Sequence, residues 1–166
     1  MPLDQQTFTE CKIVKAIANR GHRPSPFPEF DDNLNSHNMD KAYAAISAWP
    51  HYHPTPLTSL DKLADFCGVA AVYYKDESQR LDLKSFKALG GAYAVANLVA
   101  SKKAENIDPA SITVTTATDG NHGRSVAWGA QQAGCRAEIY IHEHVSQERA
   151  DATAAFGAES NRITGN

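Results

Sequence analysis

The stretch Ser85-Phe86-Lys87-Ala88-Leu89-Gly90-Gly91-Ala92 sets a lysine among apolar residues and glycines, shortly after the charged segment Lys75-Asp76-Glu77-Ser78. An amine with apolar neighbours is drawn toward a dry pocket, where its neutral form is favoured, and we therefore expect Lys87 to be sheltered from water. A neutral lysine can condense with an aldehyde cofactor, of which pyridoxal phosphate is the commonest. The alternative is an ordinary lysine on the surface of a helix.

The residues around this lysine predict a long helix. Ser85 can cap its start, and an apolar stripe continues to about Lys103. Gly90 and Gly91 each weaken a helix by about 1 kcal/mol, so their presence needs a compensating reason. We expect a cofactor or a neighbouring helix to approach the chain closely at these two positions.

The rest of the chain alternates between strand and helix patterns. Runs rich in strand formers predict strands at 70–75, 112–117 and 137–141, and a further strand that has just begun at Ile163. Strands that alternate with helices of this length predict right-handed βαβ units and a mainly parallel sheet with flanking helices. The other predicted elements are helices at 39–49, 60–67 (capped by Ser59), 121–132 and 146–156 (capped by Ser146), and an extended segment at 51–57.

A second candidate site is Thr118-Asp119-Gly120-Asn121-His122-Gly123, which joins a predicted strand to a predicted helix. Open α/β sheets build binding sites at the carboxyl ends of their strands. Unpaired backbone N–H groups at a helix start attract anions, and glycines let a ligand come close, so a substrate carboxylate is one candidate ligand. Asp119 is also explained as a turn residue or helix cap, which is the commonest use of an Asp-Gly pair.

These segments together resemble a known family. The Ser-x-Lys arrangement at Lys87 resembles that of the fold-type II pyridoxal-phosphate enzymes, the group of tryptophan synthase β and threonine dehydratase. Within that group the segments 75–78 and 86–94 are most similar to the diaminopropionate ammonia-lyase family, and the resemblance extends from about Tyr52 to Gly157. It implies an α/β fold of the tryptophan synthase β type, with a parallel sheet and flanking helices.

The resemblance also implies roles for residues at both sites. Lys87 would bind pyridoxal 5′-phosphate with Phe86 beside it, and Asn121 would approach the hydroxyl of the cofactor ring. Backbone amides of the loop would hold the substrate carboxylate, while His122 would support the structure of the loop and would not act as a base. A substrate-binding role follows for three loop residues: Thr118, Gly120 and His122.

Asp119 stands where the dehydratases and racemases of the group commonly have serine, and the resemblance to the ammonia-lyases predicts aspartate at this position. On opposite faces of the cofactor, Lys87 and Asp119 would remove the α-proton from L- and D-amino acids, respectively. The implied reaction is α,β-elimination on 2,3-diaminopropionate to give pyruvate and ammonia. The alternatives are a serine or threonine dehydratase, and a truncated chain that is either a non-catalytic fragment or an interaction protein.

Members of this family are more than twice as long as these 166 residues, and their glycine-rich phosphate-binding loop does not occur here. We therefore expect a truncated chain. Residues 1–50 are predicted to form an amino-terminal arm and helix. Residues 51–166 are predicted to form the lysine-bearing region, which is the smaller domain joined to an incomplete part of the larger one. The family implies a homodimer for the full-length protein.

The bulk composition restricts the classes of partner. With 42% hydrophobic and 21% charged residues, the chain has the composition of a soluble globular protein. Its formal net charge of −3 gives no electrostatic reason to bind nucleic acid or an anionic membrane. No apolar run approaches the roughly 20 residues of a membrane span. We expect a small amino acid as the substrate, and neither nucleic acid nor a membrane as a partner.

Cysteines and histidines add two further predictions. Three widely spaced cysteines are typical of free thiols in a reducing compartment, so we expect a cytoplasmic protein. His51-Tyr52-His53 and His142-Glu143-His144 each place two imidazoles on one side of an extended chain, but neither has a third ligand at a helpful spacing. We therefore predict solvated loop histidines and no metal.

Overall fold

The computed structural model describes Ala18, Gly21 and residues 34–118 and 120–164. The chain divides into two compact units, Met1–Asn35 and Ser36–Asn166. All the helices and strands given below belong to the second unit.

The second unit begins with a helix and then combines short strands with helices. The helices are α1 (Ser36–Ser47), α2 (Asp61–Cys67), α3 (Lys87–Ala104), α4 (Asn121–Ala133) and α5 (Gln147–Ala154). The strands are β1 (Leu57–Ser59), β2 (Tyr73–Lys75), β3 (Thr113–Ala117), β4 (Arg136–His142) and β5 (Glu159–Ile163). The predicted helices and strands are present, with ends that differ by a few residues, except for the strand expected to begin at Ile163: β5 instead ends at that residue.

The predicted parallel sheet is confirmed. Its three strands have the order β3-β4-β5, and both pairs are parallel, with Val114 opposite Ala137 and Ile139 opposite Ser160. Strand β4 buries Ala137, Ile139 and Ile141, which alternate along the strand and so share one face. Because the strands are parallel, the carboxyl ends of β3 and β4 meet at the same edge, where the loop before α4 begins.

A second sheet, which the sequence analysis did not predict, pairs β1 with β2 in antiparallel fashion. Its three residue pairs end with Ser59 opposite Tyr73. The strand predicted at 70–75 is reduced to its last three residues because its partner strand ends where the chain turns into α2. The expectation that Ser59 caps α2 is wrong, since its hydroxyl donates to the Asp61 carboxylate and Leu60 occupies the N-cap position without a side-chain cap.

Helices α3 and α4 pack very closely. A Cβ on Gly129 would lie 2.7 Å from the Cα of Ala92, and a Cβ on Gly91 would lie 2.6 Å from the Ser125 Oγ. The close approach expected at Gly91 is thus confirmed, and the neighbour is a helix. A Cβ on Gly90 would meet no described atom within 4 Å apart from its own helix. The buried core that joins these helices to the sheet includes Val95, Val99, Val114, Val126, Ala127, Ala130 and Ile139.

A buried arginine ties the segment before β1 to the turn after β2. The Arg80 Nε donates to the Glu77 Oε2 at 2.8 Å, and the Arg80 Nη2 donates to the Thr55 Oγ1 at 2.9 Å. The Thr55 hydroxyl in turn donates to the Glu77 Oε1 at 2.6 Å. Hydrogen bonds, chiefly from Arg80 and also from Thr55, lower the pKa of the Glu77 carboxyl to about 2 although burial opposes the shift.

Candidate active site

Lys87 is the first residue of α3, and two buried serines hold its backbone. Its N–H donates to the Ser85 Oγ at 3.2 Å, while Phe86, and not the predicted Ser85, occupies the N-cap position of α3. The Lys87 carbonyl accepts from the Ser125 Oγ at 2.8 Å. Ser85 is 7% exposed and Ser125 is 1% exposed. The backbone of this lysine is therefore held on both sides.

The side chain of Lys87 is exposed, so the expectation of a dry pocket is wrong for this chain. The Lys87 Nζ lies 5.4 Å from the centroid of the Phe86 ring, which is itself exposed. Ala88, the neighbour on the other side, is fully buried. Successive residues of a helix point in different directions, so apolar neighbours in sequence do not enclose a side chain in space.

Thr118 follows β3 and organises the loop that precedes α4. Its hydroxyl accepts from the N–H groups of Gly120 at 3.1 Å and of Gly123 at 3.3 Å. Two of the backbone donors that the sequence analysis offered to an anion are thus bonded within the loop. Asp119 lies outside the described residues, and its catalytic role stays a prediction.

Gly123 is required by packing. A Cβ on this residue would overlap the Cγ2 of Thr118 and would lie 2.8 Å from the Cγ2 of Ile139. The glycine therefore allows the first turn of α4 to rest directly on the parallel sheet. This close approach of protein to protein differs from the expected close approach of a ligand.

A cavity of about 570 Å³ brings most of the predicted site residues together. Lys87 lines this cavity from the start of α3, while Phe86 is not one of its lining residues. Asn121 and His122 are exposed, whereas Thr118 and Gly120 are half-buried. The predicted site residues that line the cavity with the lysine are Thr118, Gly120, Asn121 and His122.

The other residues that line this cavity were not predicted from the sequence, and they are Arg124, Ser146, Glu148, Arg149 and Ala152. The Arg124 Nε is buried and finds no hydrogen-bond partner among the described residues, while the guanidinium carbon lies 5.8 Å from the centroid of the Phe156 ring. A buried donor in this state is suited to an acceptor on a ligand. The spacing in the sequence could have indicated Arg124, because it follows Asn121 by three residues and so lies on the same side of the predicted helix.

Ser125 is a further residue that the sequence analysis missed. Its hydroxyl donates to the Lys87 carbonyl at 2.8 Å and accepts from the Ala92 N–H at 3.0 Å. The only sequence signal was a small polar residue on the packing side of a predicted helix. A hydrogen bond between two distant segments cannot be read from that pattern.

Neither histidine pair lines the cavity that Lys87 lines. The rings of His142 and His144 are 4.8 Å apart, and the His142 Nδ1 accepts from the His144 N–H at 3.2 Å. Both line a second cavity of about 430 Å³. In the part of the chain that the structure describes, no three His, Cys, Asp or Glu side chains are grouped so that they could hold a metal ion.

Comparison with known proteins gives consistent matches. The family model described as "Pyridoxal-phosphate dependent enzyme" matches residues 48–166. The diaminopropionate ammonia-lyase of Escherichia coli strain K12 is 48% identical over 119 residues, which cover 65% of this chain and 30% of that protein. The protein of the same name from Salmonella typhimurium strain LT2 is 39% identical over 141 residues, which cover 76% of this chain and 35% of that protein.

A solved structure agrees with these sequence matches. The crystal structure of Escherichia coli diaminopropionate ammonia lyase in complex with D-serine matches with a TM-score of 0.79 at 38% identity, and the match covers 89% of this chain and 40% of that chain. The chain thus spans about a third of the length of the curated relatives. The α/β fold and the predicted resemblance are confirmed.

Proposed function

Because the chain belongs to the pyridoxal-phosphate-dependent enzymes, we propose that Lys87 binds the cofactor and that the whole protein is an ammonia-lyase acting on 2,3-diaminopropionate. The observation that carries this proposal is the shared cavity, which Lys87 lines together with the loop residues Thr118, Gly120 and Asn121. The names of the curated relatives support the substrate. Since the chain covers about a third of their length, the reaction is proposed for the whole protein.

The residues around the cavity fit an anionic aldehyde of the cofactor's size. A volume of about 570 Å³ lies within the range of small-molecule sites. The exposed side chain of Lys87 leaves its amine open to an incoming aldehyde, and the Phe86 ring beside it offers an apolar surface. The Asn121 amide and the buried Nε of Arg124 are hydrogen-bond donors for ring or acid oxygens.

When bound, pyridoxal phosphate supplies an electron sink that stabilises negative charge at the substrate α-carbon. The residues of the chain supply the proton transfers. The Lys87 Nζ accepts the α-proton of an L-amino acid and then gives it to the β-amine, which departs as ammonia with the electrons of the broken Cβ–N bond. The electron pair left at the α-carbon forms the Cα=Cβ double bond of aminoacrylate, which water hydrolyses to pyruvate and a second ammonia. Asp119 accepts the α-proton of a D-amino acid from the opposite face.

We assign the substrate carboxylate to the start of α4. Helix amino termini favour anions, and Asn121 and His122 are the first two residues of this helix. Thr118 contributes by holding the loop through its bonds to the Gly120 and Gly123 N–H groups. Gly120 lines the cavity and adds no side chain to it.

We further propose that the whole protein is a cytoplasmic homodimer. Cys67 and Cys135 are free thiols, and burial raises the pKa of the Cys135 thiol, which favours its unreactive form. Free thiols are expected in a reducing compartment. No helix in the described ranges has both the length and the apolar character that crossing a membrane requires. Sedimentation of the full-length protein tests the dimer.

The division of the chain into an arm and helix at 1–50 and a lysine-bearing region at 51–166 is likewise a proposal. The family match supports it, because the match begins at residue 48. Limited proteolysis tests it: a stable product that begins near residue 51 supports the boundary, and one that begins well inside 51–166 contradicts it.

Reductive labelling tests the role of Lys87 in the 166-residue chain. After incubation with pyridoxal phosphate and reduction with borohydride, peptide mass spectrometry should find the label on Lys87, and Lys87→Ala should abolish it. Lys84→Ala is the control, because Lys84 is exposed nearby and does not line the cavity. Equal labelling of Lys84, Lys87 and Lys103 would overturn the assignment.

The substrate is tested with the full-length protein. Ammonia and pyruvate are measured with 2,3-diaminopropionate and with serine, each as the L- and the D-enantiomer. The proposal expects a higher kcat/KM for 2,3-diaminopropionate. A higher value for serine would favour the dehydratase alternative.

A further inference from the structure

Ser125 links the helix that carries Lys87 to the helix that carries Asn121. Because Ser125 follows Asn121 by four residues, the two lie on the same side of α4. The Ser125 Oγ donates to the Lys87 carbonyl at 2.8 Å and accepts from the Ala92 N–H at 3.0 Å. At 1% exposure the residue is removed from water, so these two partners satisfy its hydroxyl.

The neighbouring glycines show that this link needs space. A Cβ on Gly91 would lie 2.6 Å from the Ser125 Oγ and would displace the hydroxyl. A Cβ on Gly90 would meet no described atom within 4 Å outside its own helix. An alanine at position 125, with its single methyl group, would be enough to fill the buried space here. A hydroxyl at a fully buried position indicates that its hydrogen bonds matter.

We propose that Ser125 is a positioning residue for Lys87, whose backbone it holds against the start of α4. The inference rests on the proposed function, in which Lys87 binds the cofactor and Asn121 approaches the cofactor ring. The Lys87 side chain is exposed, and the position of its backbone determines where the amine can reach. Small displacements of a reacting group cost large factors in rate, which makes this anchor chemically important.

Labelling kinetics measure this positioning. In Ser125→Ala, the initial rate of reductive labelling of Lys87 by pyridoxal phosphate should fall about tenfold, while labelling of Lys84 stays unchanged. Ser160→Ala is the matched control, because the Ser160 Oγ is also buried but finds no hydrogen-bond partner among the described residues. Ser125→Cys keeps the shape of the side chain with a weaker donor and should give an intermediate rate.

Amide hydrogen exchange measures the link in the ligand-free protein. Since the Ala92 N–H donates to Ser125, its exchange should accelerate in Ser125→Ala. The same acceleration is expected in Gly91→Ala, where the new methyl group displaces the hydroxyl. Gly90→Ala is the control, since it adds the same methyl group one residue away in open space.

The outcomes separate the two proposals. If Lys87 in the wild-type chain is labelled no faster than Lys84, the proposed function fails. The exchange rate of the Ala92 N–H is then the only test of the positioning role. If wild type is selective and a folded Ser125→Ala is equally selective, the positioning role is overturned. If Ser125→Ala loses its helical circular dichroism, the variants Ser125→Cys and Gly91→Ala are measured in its place. Lys87 labelling rates in these two variants that equal the rate in Gly90→Ala would overturn the positioning role of Ser125.

Discussion

Gly129 lies so close to Ala92 that a Cβ on residue 129 would be 2.7 Å from the Ala92 Cα. The two residues belong to α4 and α3, so this contact sets the separation of the helices that begin at Asn121 and Lys87. A contact with backbone cannot be relieved by rotating a side chain. The separation of the two helices therefore depends on the absence of a methyl group at position 129.

Gly129→Ala should destabilise the protein by about 1–3 kcal/mol, because overpacking forces the two helices apart. Urea denaturation followed by circular dichroism measures the effect. Gly90→Ala is the matched control, since it removes a helical glycine where there is space and should stabilise by up to about 1 kcal/mol. Equal stability of the two variants would contradict the helix contact as described.

The Glu77–Arg80 pair predicts how stability depends on pH. The pKa of Glu77 is lowered from an ordinary value of 4.5 to about 2, chiefly by the hydrogen bonds from Arg80. A carboxyl whose pKa is lower in the folded chain than in the unfolded chain stabilises the fold when it is ionised. This contribution is present above pH 4.5 and is lost as the pH falls toward 2.

Glu77→Gln should therefore lower the Tm at neutral pH, and its difference from wild type should shrink as the pH falls from 4.5 to about 2. Thermal melts across this range measure the difference. Glu105→Gln is the control, because its pair with Lys102 is exposed and such pairs contribute about 0–1 kcal/mol. A Glu77→Gln difference that grows toward acid pH would show the opposite linkage.

Lys87→Ala should separate chemistry from stability. Because the side chain is exposed, we expect the free energy of unfolding to stay within about 0.5 kcal/mol of wild type even though the cofactor label is lost. Val95→Ala, in the buried core of the same helix, should cost about 1–3 kcal/mol in the same urea experiment. A loss at Lys87 as large as that at Val95 would indicate a structural role for the lysine.

The order of helices and strands was predictable because their ends depend on local chemistry. Gly68 and Gly134 end α2 and α4 with φ of 64° and 73°, a backbone conformation that glycine adopts without strain. The alternation of elements was likewise sufficient for the parallel sheet. The pairing of β1 with β2 was not predictable, because strands of three residues are too short to show a recognisable pattern in the sequence.

The site was predicted in part. Lys87 lines the same cavity as Thr118, Gly120, Asn121 and His122, in agreement with a resemblance carried by two separate motifs. The exposure of Lys87 was not foreseen, because burial depends on which distant segments cover a side chain. Ser125 was missed for a similar reason: its partners lie on another helix, and only the fold brings them within hydrogen-bond distance.

Gly123 and Thr118 allow a test by paired substitution. A Cβ on Gly123 would overlap the Thr118 Cγ2 and would also lie 2.8 Å from the Ile139 Cγ2. Gly123→Ala should therefore destabilise by about 1–3 kcal/mol. Thr118→Ser removes the overlapping methyl group while keeping the hydroxyl that accepts from the loop N–H groups.

The double variant Gly123→Ala/Thr118→Ser should regain part of the stability that Gly123→Ala loses, with a coupling free energy of about 1 kcal/mol in a double-mutant cycle. Recovery should be incomplete, because the Ile139 methyl group still opposes the new Cβ. Urea denaturation of the four proteins gives the coupling. Strictly additive effects would show that the Thr118 methyl group is not what excludes a side chain at position 123. The contact with Ile139 would then be the one that requires glycine at this position.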